Sequence, residues 1–284
     1  MRAIVTLCLI VCLGICAPWA VASESATGEL PKYLRDRGPG VPTSMFGTYV
    51  LPGELLVYPF VEYYQDLDAE YSPAELGFGL DEDFRGDYEA TEYLVFLGYG
   101  LGQSFALEFE AAVYITAEQE KAPNDPTALP DELSESGLGD VQMQVNWLWQ
   151  RETSSRPALF SYGEVVFPFQ KDKRIIGTQD WEYKLGTGVI RGFGFGTMTF
   201  RAALEYDRAE GKFEMGEFAL EYLRRISPLL RVFTGIEGTE DEWELITEAQ
   251  IHLTGSMFIK LNSAFGITSK AEDWAPETGV VFRF

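Results

Sequence analysis

Residues 139–150, GDVQMQVNWLWQ, constrain the fold of this chain more than any other stretch. Apolar side chains occupy its odd positions, which are Val141, Met143, Val145, Trp147 and Trp149. Amides fill the even positions Gln142, Gln144, Asn146 and Gln150, and Leu148 is the one apolar exception. A period of two is typical of a β-strand with one apolar and one polar face. Because tryptophan favours membrane interfaces, we predict that the apolar face meets lipid and the amide face lines a polar lumen.

The first 22 residues have the features of a secretory signal peptide. Arg2 supplies a positive start, residues 4–16 form an apolar run, and residues 20–22 are a small-residue cleavage site. All cysteines lie in this leader, at Cys8, Cys12 and Cys16, so the predicted mature chain has no thiol or disulfide chemistry. The alternative of a lipid-anchored Cys16 is disfavoured by the bulky Ile15 that precedes it.

Charge and hydropathy exclude two classes of protein. The formal net charge of −22 would repel nucleic acid phosphates, so no nucleic acid partner is expected. After the leader, no apolar run approaches the ~18 residues of a membrane helix, which excludes a helical membrane protein. A membrane barrel remains, because its strands alternate and their hydropathy averages out.

Strand-like segments follow one another from Leu55 to the last residue. We predict twelve strands, at 54–65, 91–100, 103–116, 139–150, 157–168, 181–192, 196–207, 213–224, 228–238, 242–253, 256–268 and 276–284. The connections alternate between long and short, as in outer-membrane barrels with long outer loops, short periplasmic turns and an even strand count. The predicted fold class is therefore all-β: a single antiparallel, up-and-down transmembrane β-barrel of about 12 strands.

The predicted organisation has three parts: a signal peptide at 1–22, a Pro/Gly-rich periplasmic leading segment at 23–52, and an outer-membrane barrel at 53–284. Two alternatives stay open for the leading segment: a floppy tether, or a segment that folds back into the barrel mouth. A barrel of twelve strands lies between the filled interior of eight and the open channel of sixteen to eighteen. Its pore is expected to be narrow, and inward side chains, the leading segment or a loop could close it.

In the third predicted strand the alternation defines two faces. One face carries the apolar residues Phe105, Leu107, Phe109, Ala111, Val113 and Ile115, and Glu108 and Glu110 lie on the other. The long connections 66–90 and 117–138 are strongly acidic. Their carboxylates suit Ca²⁺ or Mg²⁺, but they lack the spacing of a calcium loop, so no metal site is predicted. Diffuse bridging by divalent cations to anionic lipopolysaccharide is the alternative.

The end of the chain, Val280-Val281-Phe282-Arg283-Phe284, alternates and stops on an aromatic residue. It resembles the C-terminal signature of bacterial outer-membrane proteins that the barrel-assembly machinery reads, which assigns Phe282 and Phe284 to an assembly signal. Over residues 137–284 the order of three further motifs carries a narrower resemblance. They are Gly137-Leu138-Gly139-Asp140-Val141, Phe167-Pro168 and Lys184-Leu185-Gly186-Thr187-Gly188. The order resembles the outer-membrane barrel family named as phenol-degradation-pathway (MetA-pathway) transporters, and it implies transport as a class without naming a solute.

Polar residues on the predicted inner faces are the candidates for a solute path. They are Glu108, Glu110, Asp140, Gln142, Gln144, Asn146, Arg201, Glu205, Glu217, Glu221, Glu244, Glu248, His252, Lys260 and Asn262. Acidic residues outnumber Arg201, Arg231 and Lys260 among the inward-facing charges, and an acidic constriction favours cations. The same residues are also explained by a lumen filled with water, or by a charge network that holds the lumen shut. Since unpaired buried charges are costly, pairing across the lumen is expected.

No catalytic residue and no cofactor are predicted. A Ser-His pair would have to use His252, the only histidine, and no serine is singled out beside it. Glu108 and Glu110 could form an acidic pair, but neighbours on one strand face are common in a barrel lumen.

The predicted function is a passive channel for small solutes. The runner-up is a non-conducting structural or surface-interaction barrel, and a soluble β-sandwich is a third reading. Expected partners are outer-membrane lipid, lipopolysaccharide and the barrel-assembly machinery; the oligomeric state is left open.

Overall fold

A computed structural model describes residues 30–208, 211–239 and 241–284 of the protein. The predicted signal peptide at 1–22 lies outside the described residues. A short 3-10 helix, η1 (Lys32–Leu34), and two short strands, β1 (Val41–Pro42) and β2 (Tyr49–Val50), precede the long strands. These are β3 (Leu55–Tyr71), β4 (Phe84–Gly100), β5 (Phe105–Glu120), β6 (Glu132–Gly137), β7 (Val141–Gln150), β8 (Ala158–Val166), β9 (Glu182–Gly192), β10 (Thr197–Asp207), β11 (Lys212–Arg225), β12 (Leu230–Gly238), β13 (Trp243–Thr254), β14 (Met257–Gly266) and β15 (Trp274–Arg283).

Twelve of these strands close into an antiparallel barrel, which confirms the predicted fold. Neighbours in the chain pair with one another, β15 pairs with β3, and β4 pairs with β5. The strand β6 adds a partner to the outer half of β5, while β7 pairs with the other half. Closure gives each of the twelve barrel strands a partner on both sides, which is the condition for a sheet in lipid. In the described part of the chain, no helix has the length and apolar character needed to cross a membrane.

The two faces of β7 are arranged as predicted. Val145 and Trp147 are exposed on the outside by 42% and 49%, whereas Gln144 and Asn146 are buried inside the barrel at 5% and 1%. The apolar side chains therefore cover the outer surface and the amides face inward. A soluble β-sandwich would bury the apolar face and expose the polar one, so the hypothesis of a β-sandwich is wrong.

The predicted face of β5 is wrong at its outer end. Tyr93 of β4 pairs with Tyr114, but the next residue, Leu94, pairs with Ala112, so Val113 is an extra residue in β5. Such a β-bulge shifts the alternation by one position. Ile115 consequently faces inward, where it is 2% exposed, and Tyr114 takes the outer face. The sequence of β5 does not reveal the bulge at Val113, because alanine and β-branched residues occur on both faces of the strand around it.

The first three barrel strands extend beyond their predicted ends. The pair β3–β4 continues to Tyr71 and Phe84, so only 72–83 remain of the predicted connection 66–90. An apolar cluster at the long-loop end stabilises this extension, and it consists of Tyr71, Leu76, Phe84, Ala122 and Leu129. The acidic residues that suggested a loop lie largely on the solvated face of these extensions.

Candidate functional site: the lumen and its plug

The leading segment enters the barrel from the end where the connections are short. This short-turn end is formed by residues 101–104, 151–157, 193–196, 226–229 and 255–256. Val41 and Val50, which pair in a small hairpin, are 1% and 0% exposed. We call residues 36–50 the plug. Of the two alternatives for the leading segment, its described part follows the second, because it folds back into the barrel.

Charged contacts fix the base of the plug to the short turns. The guanidinium of Arg37 donates to Glu152 at 2.9 Å, and both side chains are almost completely buried. Glu152 also accepts the backbone N–H of Gly192 at 2.9 Å. One carboxylate oxygen of Asp36 accepts the backbone N–H of Arg225 at 2.9 Å. The base of the plug is thus joined to three strands or turns of the barrel.

An apolar core surrounds the plug in this half of the lumen. Inward residues of the barrel wall pack against Val41, Tyr49 and Val50, and they include Leu56, Phe96, Leu148, Phe160, Ile190, Leu223, Phe233, Phe258 and Val281. Leu148, the exception in the alternation of 139–150, is therefore a core residue. The polar faces of the strands predict a polar lumen throughout. This prediction is wrong for the short-turn half, where the plug supplies an apolar partner.

The turn of the plug, residues 43–48, ends in the middle of the lumen. Phe46 stacks on Phe233 at 5.2 Å between ring centroids. The Phe46 carbonyl oxygen lies 3.4 Å from Gln250 Nε2 and 3.5 Å from Lys260 Nζ, which both donate to it. Gly47 has φ of +59°, and a Cβ there would lie 3.0 Å from Gln250 Nε2. A larger residue at position 47 would therefore be strained and crowded.

Beyond the turn of the plug, a cavity of about 340 Å³ occupies the lumen toward the long loops. We call it the vestibule. Its charged lining consists of eight glutamates and three basic residues, namely Glu62, Glu110, Glu164, Glu217, Glu237, Glu244, Glu272, Glu277, Lys184, Arg201 and Lys260. Carboxyl groups thus outnumber basic groups in this lining. In their ionised form they attract cations.

The basic residues of the vestibule are held in ion pairs. Arg201 reaches Glu217 at 3.0 Å, Glu221 at 2.6 Å and Glu237 at 3.0 Å. Lys260 pairs with Glu248 at 2.9 Å, with both side chains almost fully buried. Lys184 lies 3.7 Å from Glu164. The structure thus pairs charges across neighbouring strands, as the cost of burying them requires.

Other carboxylates form a row without basic partners. Glu62 of β3 is the register partner of Glu277 on β15 and of Glu92 on β4. Directly opposed side chains lie about 5 Å apart, where like charges repel. Among the described residues, no lysine or arginine forms an ion pair with these three glutamates. The row is a continuous set of carboxyl groups along one side of the lumen.

Glu272, in the connection 267–273, adds a carboxylate at the long-loop end of the vestibule. Burial raises the pKa of Glu272 to about 8, with smaller contributions from the neighbouring carboxylates Glu244, Asp66, Glu92 and Glu242. The charge at this end of the vestibule therefore depends on pH near neutrality.

Most predicted site residues lie on the inner face, but in different surroundings. Glu110, Gln142, Gln144, Arg201, Glu217, Glu244, Lys260 and Asn262 line the vestibule. Asp140 lies at the long-loop end, where it accepts the backbone N–H of Thr178 at 2.5 Å. Glu205 lines a smaller cavity with Asp140. Glu108 accepts a hydrogen bond from Ser44 of the plug, whereas Glu248 accepts one from Gln250 of the barrel wall. His252 lies at the short-turn end, stacked on Phe258. The assembly role of Phe282 and Phe284 stays a prediction.

Several lining residues were not predicted, including Glu62, Glu164, Lys184, Glu237, Glu272 and Glu277. Glu164 lies on the same strand face as Tyr162 and Phe160, and this alternation could have identified it as a lumen residue. It is missed because aromatic residues on that face indicate contact with lipid rather than with the lumen. For β3, the apolar residues Leu56, Tyr58 and Phe60 precede Glu62 on the inner face, because the plug covers that half of the strand.

Comparison with solved structures places the fold among outer-membrane barrels. An outer membrane channel from Pseudomonas putida F1 superposes with a TM-score of 0.57 at 12% sequence identity, covering 82% of this chain and 96% of that chain. The translocator domain of the autotransporter NalP from Neisseria meningitidis gives a TM-score of 0.45 at 9% identity, over 82% and 88% of the two chains. No family model and no curated protein matches the sequence. At 12% identity the first similarity establishes the fold, and the barrel implied by the sequence resemblance is confirmed at that level.

Proposed function

We propose that this protein is a passive channel of the bacterial outer membrane for small solutes, and that its vestibule favours cations. The observation that carries the proposal is the charge of the vestibule, where eight glutamates face three basic residues. Because those basic residues are already in ion pairs, the unpaired row of Glu62, Glu92 and Glu277 sets the sign of the potential. The outer-membrane channel of similar fold supports this class of function.

The vestibule sets an upper size for the solute. A volume of about 340 Å³ accommodates a hydrated metal ion or a small organic molecule. The charged part of the lining is mainly acidic, and the predicted site residues in it form no catalytic arrangement. The proposed role is therefore passage or binding of a solute, without chemical conversion. The proposed surroundings are outer-membrane lipid and lipopolysaccharide, reached after signal-peptide cleavage and insertion by the barrel-assembly machinery.

The test is the reversal potential of the purified protein in a planar bilayer under a KCl gradient. A cation-selective conductance is expected, and Glu62→Gln with Glu277→Gln should shift the reversal potential toward that of a non-selective pore. The control is Glu118→Gln with Glu120→Gln, which also replaces two glutamates, at exposed positions outside the vestibule. An anion-selective wild type would contradict the cation preference. A reversal potential that is unchanged in the double variant would show that Glu62 and Glu277 do not cause it.

A second candidate is a non-conducting barrel, because the plug fills the short-turn half of the lumen. It predicts no conductance in the wild type and none after the contacts of the plug are removed. Variants of Arg37 and Glu108, which hold the base and the turn of the plug, separate the two candidates. A closed barrel that stays closed in both variants favours the structural role.

A further inference from the structure

Four nitrogen atoms of strands β11 to β15, at the short-turn end of the lumen, are buried without a hydrogen-bond partner among the described residues. They are the Nε atoms of Arg225, Arg231 and Arg283 and the Nε2 atom of His252. Buried donors normally find a partner, so four in one region need a physical explanation. They lie on the other side of the plug from the acidic vestibule.

The strands β11 to β15 bring the four side chains to one side of the lumen. Arg225 of β11 and Arg231 of β12 are register partners, and Arg231 is opposite Gln250 of β13. His252 lies two residues beyond Gln250 on the same inner face. Its ring stacks on Phe258 at 4.8 Å, and the Arg283 guanidinium lies 5.5 Å from the centre of the same Phe258 ring.

Arg231 has no counter-charge in direct contact. The residue is 6% exposed, and its Nε has no hydrogen-bond partner among the described residues. Two carboxylates at this end, Asp36 and Glu54, have other partners. Asp36 lies 3.7 Å from Arg224 and accepts the backbone N–H of Arg225, and Glu54 lies 3.3 Å from Arg283. A buried guanidinium without a partner is strongly unfavourable unless an anion accompanies it.

We propose that Arg231, Arg225, Arg283 and His252 form a binding site for an oxyanion, a carboxylate or a phosphate group. Guanidinium groups present a planar fork of donors that matches both chemistries. Arg231 supplies the buried charge, and the half-buried Arg225, Arg283 and His252 surround it on the side open to the short turns. Access is from the short-turn end, which the barrel topology assigns to the periplasm. The site is independent of the vestibule and of its proposed cation preference.

Isothermal titration calorimetry of the detergent-solubilised full mature chain tests the site. The titrants are sodium phosphate, sodium succinate and sodium chloride at constant ionic strength. Saturable binding of phosphate or succinate is expected, and chloride should show none. The titrant with the higher affinity shows whether the site prefers a phosphate group or a carboxylate. Arg231→Gln should weaken the binding by about tenfold or more. Arg156→Gln is the matched control, because Arg156 is an exposed arginine of a turn at the same end.

His252→Phe provides a second variant that keeps the ring stack on Phe258 and removes the Nε2 donor. It should weaken the binding of the oxyanion several-fold, while the heat-modifiable band of the folded barrel stays unchanged on a gel. This variant therefore tests the site even if Arg231→Gln does not fold. The proposal is overturned by an absence of saturable oxyanion binding in the wild type. It is equally overturned by wild-type affinity in folded Arg231→Gln or His252→Phe.

Discussion

Ser44 donates two hydrogen bonds to one carboxylate oxygen of Glu108, from its backbone N–H at 3.0 Å and from its hydroxyl at 2.5 Å. Asn146 donates a third hydrogen bond to the other oxygen of the same carboxylate. Glu108 is 2% exposed and belongs to the barrel wall, whereas Ser44 belongs to the turn of the plug. One glutamate of the wall thus fixes the position at which the lumen is closed.

Removal of this carboxylate should open the lumen. In Glu108→Ala, hydrogen bonds to a charged group are lost, each contributing about 1.5–3 kcal/mol. A loss of about 2 kcal/mol changes the ratio of closed to open states by more than tenfold. We expect a higher open probability in single-channel recordings. Glu118→Ala, at an exposed position on the same strand, should leave it unchanged. Equal open probabilities in the two variants would show that the Ser44 contact does not hold the plug.

Loss of the Arg37 guanidinium should loosen the base of the plug and destabilise the protein. Arg37→Met leaves the buried Glu152 carboxylate with Arg191 at 3.5 Å and the Gly192 N–H as its remaining partners. Breaking a buried ion pair costs about 3 kcal/mol. Urea unfolding should show this loss, and a protease should cleave the leading segment faster. Arg156→Met, in the exposed part of the same turn, should change neither measurement. Wild-type stability of Arg37→Met would mean that the pair is energetically neutral.

The two faces of β7 should respond differently to a charge. Val145→Arg places a guanidinium on the outer apolar surface and should cost about 2–4 kcal/mol near the membrane midplane. Gln144→Arg places it beside the acidic vestibule and should be far milder. The measurement is the fraction of heat-modifiable folded barrel after refolding into lipid. Equal losses in the two variants would contradict the inside and outside assignment.

Glu272 should make the stability depend on pH. The folded-state pKa of Glu272, about 8, lies above the ordinary 4.5 because burial disfavours the charged form. The stabilisation from the protonated carboxyl is therefore complete below about pH 4.5 and is lost as the pH rises through about 8. We expect Tm to fall from pH 6 to pH 9, with a smaller fall in Glu272→Gln. Glu75→Gln, an exposed loop change, should reproduce the wild-type fall. The same fall in all three proteins would remove Glu272 as its source.

Alternation made the barrel predictable. Where one residue type faced lipid and the other faced the lumen, as in Trp147 and Asn146, a period of two fixed both the strand and its orientation. The prediction was wrong at Ile115 because a single extra residue, Val113, reverses the faces of β5 without changing its composition. A bulge depends on the register between two paired strands, and the sequence of one strand does not determine that register.

The sequence alone determined twelve strands, their antiparallel closure and the outward face of regular strands such as β7, because burial against lipid imposes a pattern that each such strand carries by itself. Only the tertiary structure decided what fills the lumen. The inward Leu148 and Phe233 are apolar because residues 36–50 pack on them, and that contact joins positions about a hundred or more residues apart. The same is true of the vestibule. The row of Glu92, Glu62 and Glu277 becomes continuous only when the first and last strands of the barrel meet.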